Sequence, residues 1–174
     1  NKCTLDRHCN PPDSDGSTVS TMATTSAGVA VGLASARVTM TIYHDMRCSA
    51  CHAFFNYTLP RLLETYVRDG SLIIEFVDYS LSRDVQEMAL VESALCAARQ
   101  NLYLPYVLAV YQAAERDPKA ALSDAARRTG INLIELESCL SSGQMRATIE
   151  LGRRRALKDR IQGTPTILID HQGI

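Results

Sequence analysis

Along the chain, Val38-Thr39-Met40-Thr41-Ile42-Tyr43 alternates apolar and polar positions and is rich in β-branched and aromatic residues, which predicts a strand. From Cys48 to Asp69 the period changes. Phe54, Phe55, Leu59, Leu62, Leu63, Tyr66 and Val67 recur at helical spacing, and Gly70 sits where a C′ glycine belongs. Pro60 falls inside this helix and predicts a kink. Leu72-Ile73-Ile74-Glu75-Phe76-Val77 is short and mostly apolar, as expected of a buried central strand. A helical region follows. Ser82 is a candidate cap for a helix to about Gln100, and further helices are expected over Tyr103 to Glu115 and Lys119 to Arg128, with Pro118 at a start. Asn132 followed by Glu135 resembles a capping box for a short helix to Leu140. A longer helix runs from Gln144 to Ile161, ended by Gly163, and Thr166-Ile167-Leu168-Ile169 forms a last strand before a turn at Gln172-Gly173.

The order strand, helix, strand, helices, strand implies an α/β sheet with a parallel pair across the first crossover. The helices between the second and third strands exceed what a crossover needs, so they read as an insertion. The expected organisation is an arm or linker over 1–27, a discontinuous α/β domain over 28–81 and 144–174, and a helical insertion over 82–143. The arm carries Pro11-Pro12, Gly16 and many Ser and Thr without periodicity.

Composition narrows the class. With 174 residues and 46% hydrophobic content the chain can bury one core with a smaller appended lobe. A net charge of −1 provides no global field toward nucleic acid or an anionic membrane. The apolar run from Ala27 to Ala36 is far short of the ~20 residues of a spanning helix. No segment has the order of a signal peptide, although a chain that begins with Asn1 leaves room for a removed signal or anchor. Cys3, Cys9, Cys48, Cys51, Cys96 and Cys139 form an even set, which suggests an oxidising compartment; buried thiols in a cytosolic protein are the alternative.

The chemistry centres on Cys48-Ser49-Ala50-Cys51 at the start of the first helix. The first turn of a helix offers unpaired N–H groups and roughly half a positive charge, which favour a thiolate. Cysteines so placed have pKa values lowered to about 3.5–7.5. Cys51 lies one turn on, on the same side. Cys48 is therefore read as the nucleophile and Cys51 as the residue that resolves the mixed disulfide. Zinc usually takes four ligands, often as two such pairs, and no second C-x-x-C is present. Cys48-Ser49-Ala50-Cys51-His52 also spells the C-x-x-C-H pattern of c-type haem attachment, with His52 as an axial ligand. The strand that precedes the motif argues for redox exchange instead. Gly163-Thr164-Pro165-Thr166 opens the last strand, where a proline suits a strand start or a cis bond.

Taken together, Cys48-Ser49-Ala50-Cys51 with Phe54 and Thr58-Leu59-Pro60, and Gly163-Thr164-Pro165-Thr166 with Ile167-Leu168-Ile169-Asp170, resemble the DsbA-type thioredoxin-fold family from about Gly28 to Gly173. The resemblance implies a thioredoxin fold with an inserted helical domain. It places Pro165 as a cis-proline beside the active-site pair, with Thr164 facing the substrate backbone and the sulfur of Cys48. Relatives continue into another strand and a closing helix, so the sheet of this chain is expected to lack that edge. Many relatives carry a buried Glu six residues before the first cysteine, where this chain has Ile42; His44 and Asp45 are candidates to substitute in a proton relay. Ser49 and Ala50 replace a Pro-His dipeptide, which implies a weaker oxidant, and His52 is expected to tune the thiolate.

The implied activity is thiol–disulfide exchange on reduced or unfolded exported proteins, in the oxidising direction. The implied setting is extracytoplasmic (periplasmic, secreted or membrane-anchored), with a redox partner, membrane-bound or soluble, that recycles the pair and with no cofactor. A reductase or isomerase would use the same residues, and a non-catalytic client-binding module would use the Pro165 loop alone. Some relatives bridge the pair equivalent to Cys96 and Cys139, which would stabilise by roughly 4 kcal/mol on the chain-entropy model; two buried free thiols are the alternative. Cys3 and Cys9 could close a small ring in the arm, or bind metal with His8. Arg153, Arg154, Arg155, Lys158 and Arg160 crowd a helix end and read as a solvated face, with docking to an acidic partner as the alternative.

Overall fold

The structure, a computed structural model, describes residues 21–79, 84–113 and 118–171. Strands β1 (Thr21–Thr24) and β2 (Val29–Gly32) form an antiparallel hairpin. Strands β3 (Val38–His44) and β4 (Leu72–Asp78) run parallel, and β5 (Thr166–His171) returns antiparallel to β3. Among the described residues these make one mixed sheet in the order β1-β2-β4-β3-β5. The β3–β4 register sets Ile42 beside Phe76, Tyr43 beside Val77 and His44 beside Asp78. Because side chains alternate across a sheet, His44 and Asp78 share one face while Tyr43 and Val77 share the other.

The first face holds the larger core. It receives Phe55 and Leu59 from the helical segment after β3, and the apolar sides of α3 (Val85–Ala98), α4 (Tyr103–Ala113), α5 (Pro118–Thr129) and α6 (Leu133–Ser142). On the second face α7 (Arg146–Lys158) brings Ala156 against Tyr43, Val77 and Tyr79. The segment after β3 is built in four pieces: α1 (Ser49–Ala53), a π turn (Phe54–Thr58), α2 (Leu59–Leu62) and a second π turn (Leu63–Val67). Pro60 lacks an N–H, and the irregularity expected of it takes the form of these widened turns, with Leu59 N–H reaching back to Phe54 O.

Three expectations need correction. The segment read as an arm to residue 27 includes β1, which pairs with β2 and so enters the sheet. The hairpin lies tight against its neighbours: a Cβ on Gly28 would sit 1.9 Å from the Phe76 carbonyl oxygen, and one on Gly152 would sit 2.8 Å from that of Ala27. Its Ala, Ser and Gly content carried too weak an alternation to reveal it. Secondly, α3 is capped by Asp84, whose carboxylate accepts from Gln86 N–H at 2.7 Å; Ser82 lies outside the described residues, as do Cys3, Cys9, His8 and the Gln172-Gly173 turn. Thirdly, α7 closes before Gly163. Arg160 takes the left-handed conformation (φ 55°), and Ile161 N–H reaches Ala156 O at 2.9 Å.

Of the box at α6 the N-cap half forms: Asn132 Oδ1 accepts from Ile134 and Glu135 N–H, whereas Glu135 takes the Asn132 side-chain amide and Gln100 Oε1 accepts the Asn132 backbone N–H at 2.9 Å. Cys96 on α3 and Cys139 on α6 are joined by a disulfide that closes a separation of 43 residues. Arg155 of the basic cluster pairs with Glu75 of β4 while part of its side chain stays in solvent, whereas Arg154 pairs along the helix with Glu150.

Candidate active site

β3 delivers the chain to the site and a short loop turns it into α1. Asp45 caps that loop, with its carboxylate accepting Arg47 N–H at 2.7 Å and its carbonyl accepting Cys48 N–H at 3.1 Å. Its side chain is therefore engaged in the turn and does not stand in for a carboxylate beneath the cysteines. Cys48 is the N-cap residue of α1, extended in backbone (φ −83°, ψ 115°), and its sulfur accepts Cys51 N–H at 3.2 Å. A thiol at the N-cap receives the hydrogen bond that a Ser or Asp side chain would take there.

Across the cleft, the Thr164–Pro165 peptide is cis. The Cys48 thiol donates to the Thr164 carbonyl oxygen at 3.2 Å. The structure thus brings Cys48, Cys51, Thr164 and Pro165 to one place from opposite ends of the sequence. Ser49 and Ala50 are exposed between the cysteines.

The two thiols differ in the way exchange requires. Burial pushes the Cys48 thiol up, but hydrogen bonds from Cys51, from the Thr164 side chain and from the Cys51 and Ala50 backbone outweigh it, so its pKa lies below that of an ordinary thiol. Cys51 is 0% exposed, and burial together with its hydrogen bond to Cys48 raises its pKa. The arrangement favours a thiolate at the accessible sulfur and a thiol at the hidden one. It can open and close a disulfide by exchange through Cys48.

His52 stacks on Tyr111 of α4, with ring centroids 5.6 Å apart and planes within 12°. Cys51 is enclosed, which does not suit a thioether bond to a haem, and the His52 ring is engaged with Tyr111. Ile42 is fully buried among apolar side chains.

The sequence reading missed a polar cluster beneath α1. His44 Nδ1 lies 3.0 Å from the Tyr111 hydroxyl, and His44 Nε2 lies 2.8 Å from that of Tyr103 and 3.4 Å from Asp78 Oδ1. The Tyr103 hydroxyl is also 3.1 Å from Asp78 Oδ2, and the Tyr111 hydroxyl donates to the Asp45 carbonyl at 3.2 Å. The available signal was the titratable residue that ends each of two adjacent strands, His44 and Asp78.

Comparison with known proteins agrees with this geometry. A thioredoxin family model matches residues 24–174. The chain is 21% identical over 148 residues to a probable disulfide bond formation protein D of Bacillus anthracis, covering 80% of this chain and 68% of that protein. Its fold is similar to oxidised BdbD of Bacillus subtilis (TM-score 0.69, 19% identity, 91% of this chain and 90% of that one). It is also similar to alpha-DsbA1 of Wolbachia pipientis (TM-score 0.68, 20% identity, 83% of this chain and 75% of that one). The chain belongs to the thioredoxin family, and its fold is that of the DsbA proteins.

Proposed function

We propose that this thiol–disulfide oxidoreductase oxidises pairs of thiols in exported proteins. The observation that carries the reading is the asymmetry of the Cys48–Cys51 pair, an accessible sulfur favoured as thiolate over an enclosed one favoured as thiol. Its kinship to disulfide bond formation proteins supports the oxidising direction.

In this reading a client thiolate attacks Cys48 Sγ of the Cys48–Cys51 disulfide, the disulfide breaks, and Cys51 leaves and takes up a proton. A second client thiolate then attacks the client sulfur of the mixed disulfide and expels Cys48 as a thiolate. Two electrons pass from the client to the pair, and the client gains its disulfide. A low pKa makes Cys48 a good leaving group, and stabilising the reduced form makes the pair an oxidant. Thr164 and Pro165 flank the sulfur under attack and would hold the client backbone. Clients of this kind, and a partner that reoxidises the pair, imply an extracytoplasmic setting. Among the described residues no helix is long and apolar enough to cross a membrane.

Two measurements test this. Cys48→Ser should cut oxidation of a reduced client on the order of 10³-fold or more, as loss of a covalent nucleophile does elsewhere, while client binding survives. Equilibrium of the pair against glutathione should give a potential well above the roughly −270 mV of thioredoxin; a value near that figure would rule out the oxidase.

A further inference from the structure

Exchange at Cys48 uses neither histidine 44 nor the groups around it, yet four polar side chains are enclosed there. His44 and Tyr103 are 0% exposed, Tyr111 is 2% and Asp78 is 5%. Groups so deeply buried must find their hydrogen-bond partners among themselves, and the protons can be placed one by one. Tyr111 gives its proton to the Asp45 carbonyl. Its oxygen, 3.0 Å from His44 Nδ1, can then only accept, so the ring proton of His44 belongs on Nδ1. Nε2 is left as an acceptor, and the 2.8 Å contact to Tyr103, the shortest of the cluster, holds the Tyr103 proton. The Tyr103 oxygen, having given that proton, still lies 3.1 Å from Asp78 Oδ2. With the Tyr103 proton held at His44 Nε2, that contact is a hydrogen bond when the carboxyl is the donor, and burial, which favours the protonated carboxyl, makes it one.

We propose that Asp78, carrying its proton, heads a one-way hydrogen-bond chain, through Tyr103, His44 and Tyr111 to the Asp45 carbonyl, that positions the turn bearing Cys48. Burial acts on both ionisable members in the same sense, raising Asp78 to about 8 and lowering His44 to about 3, so the chain is uncharged near neutral pH. Its end point matters because the Asp45 carbonyl also accepts Cys48 N–H at 3.1 Å. Tyr111 in addition backs the first turn of α1 through its stack with His52. The chain thus fixes both sides of the turn whose N–H groups favour the Cys48 thiolate. Asp78, Tyr103, His44 and Tyr111 are positioning residues; none touches the reacting sulfur. Of the titratable groups nearby, Asp45, Cys48 and Cys51 act on Tyr111, Asp45 acts on Asp78, and His52 stacks on Tyr111.

The inference deepens the oxidoreductase reading and rests on it, but its test is independent of turnover. The rate at which iodoacetamide alkylates Cys48 in the reduced protein is followed against pH for the parent, Tyr111→Phe, Asp78→Asn and Asp78→Leu. Tyr111→Phe keeps the ring and its stack with His52 and removes the hydroxyl, and with it the links to the Asp45 carbonyl and to His44 Nδ1. It should raise the Cys48 midpoint by about one unit and slow alkylation below it roughly tenfold, as should Asp78→Leu, while Asp78→Asn, whose amide donates in place of the carboxyl, stays within about twofold of the parent. Parental alkylation in Tyr111→Phe overturns the proposal, and so does an Asp78→Asn protein slowed tenfold, because a carboxylate that must be ionised cannot be replaced by an amide. If Asp78→Leu does not fold, the other two variants decide alone. Client oxidation, measured in parallel, separates the readings: a parent that fails to oxidise clients refutes the oxidase, and alkylation still judges the chain.

Discussion

Tyr43 and His44 are consecutive residues of β3, yet they enter polar clusters of opposite kinds on the two faces of one sheet. On the first face His44 lies with Asp78, Tyr103 and Tyr111, and burial holds its histidine and carboxyl uncharged near neutral pH. On the second face the Tyr43 hydroxyl donates to Asp159 Oδ2 at 2.6 Å, beside an ion pair of Arg155 with Glu75. There the Arg155 side chain remains 37% exposed, and Arg155 Nη2 also donates to Thr41 Oγ1 at 3.1 Å. The difference follows from solvent access. Where water is excluded, ionisation is costly and the cluster settles into neutral hydrogen bonds; where an arginine keeps part of its hydration, the charged pair is the cheaper state. The face behind the cysteines is the neutral one. The stabilisation of a Cys48 thiolate therefore comes from hydrogen-bond donors at the helix start and from Thr164 across the cleft, with no buried ion competing.

The largest expected effect comes from breaking the neutral face. His44→Ala removes a ring 4.9 Å from that of Phe55 and leaves Tyr103 and Tyr111 hydroxyls without their shared partner. Cavity and unpaired polar groups together should cost roughly 3–5 kcal/mol, read as a lower urea midpoint. A smaller effect is the pH dependence of stability, best measured with Cys48 and Cys51 oxidised so that neither titrates. The His44 pKa is lowered on folding, to about 3, so its contribution is present above its unfolded value near 6.5 and lost as pH falls. The Asp78 pKa is raised, to about 8, so its contribution is present below its unfolded value near 3.9 and lost as pH rises. Between about 4 and 6.5 the two slopes oppose each other. Above about 6.5 only Asp78 remains, and stability should fall by on the order of 1 kcal/mol per unit toward pH 8. Asp78→Asn should flatten that fall; a slope that survives it would place its source elsewhere.

Much of this was legible because it is local. The C-x-x-C at a strand-to-helix junction, the Thr164-Pro165 pair before a strand and the N-cap at Asn132 are each written in a few adjacent residues. The β1–β2 hairpin was not, because its small residues are dictated by the closeness of Phe76 and α7, a constraint that exists only after folding. The neutral cluster was hidden for the same reason. His44 is 59 residues from Tyr103 and 67 from Tyr111, and nothing near it in sequence states its partners. Arg155 was misread because a run of basic residues at a helix end looks uniformly solvated until the sheet beneath supplies Glu75.

That ion pair gives the smallest prediction and sharpens the contrast between the faces. Arg155→Met keeps the aliphatic stem against the sheet and removes the charge. Glu75 retains the Thr25 hydroxyl, which donates to its Oε1 at 2.8 Å, and its side chain stays 14% exposed, so it is not left wholly unpaired. A half-screened pair of this kind is worth about 1 kcal/mol or less, and salt weakens it further. Urea melts of parent and variant should therefore differ by about that amount at low salt and converge at high salt. His44→Ala should show no such convergence, since no charge is lost. If the Arg155 variant instead keeps its full deficit in high salt, the second face is as closed to solvent as the first, and the difference in solvent access between them disappears.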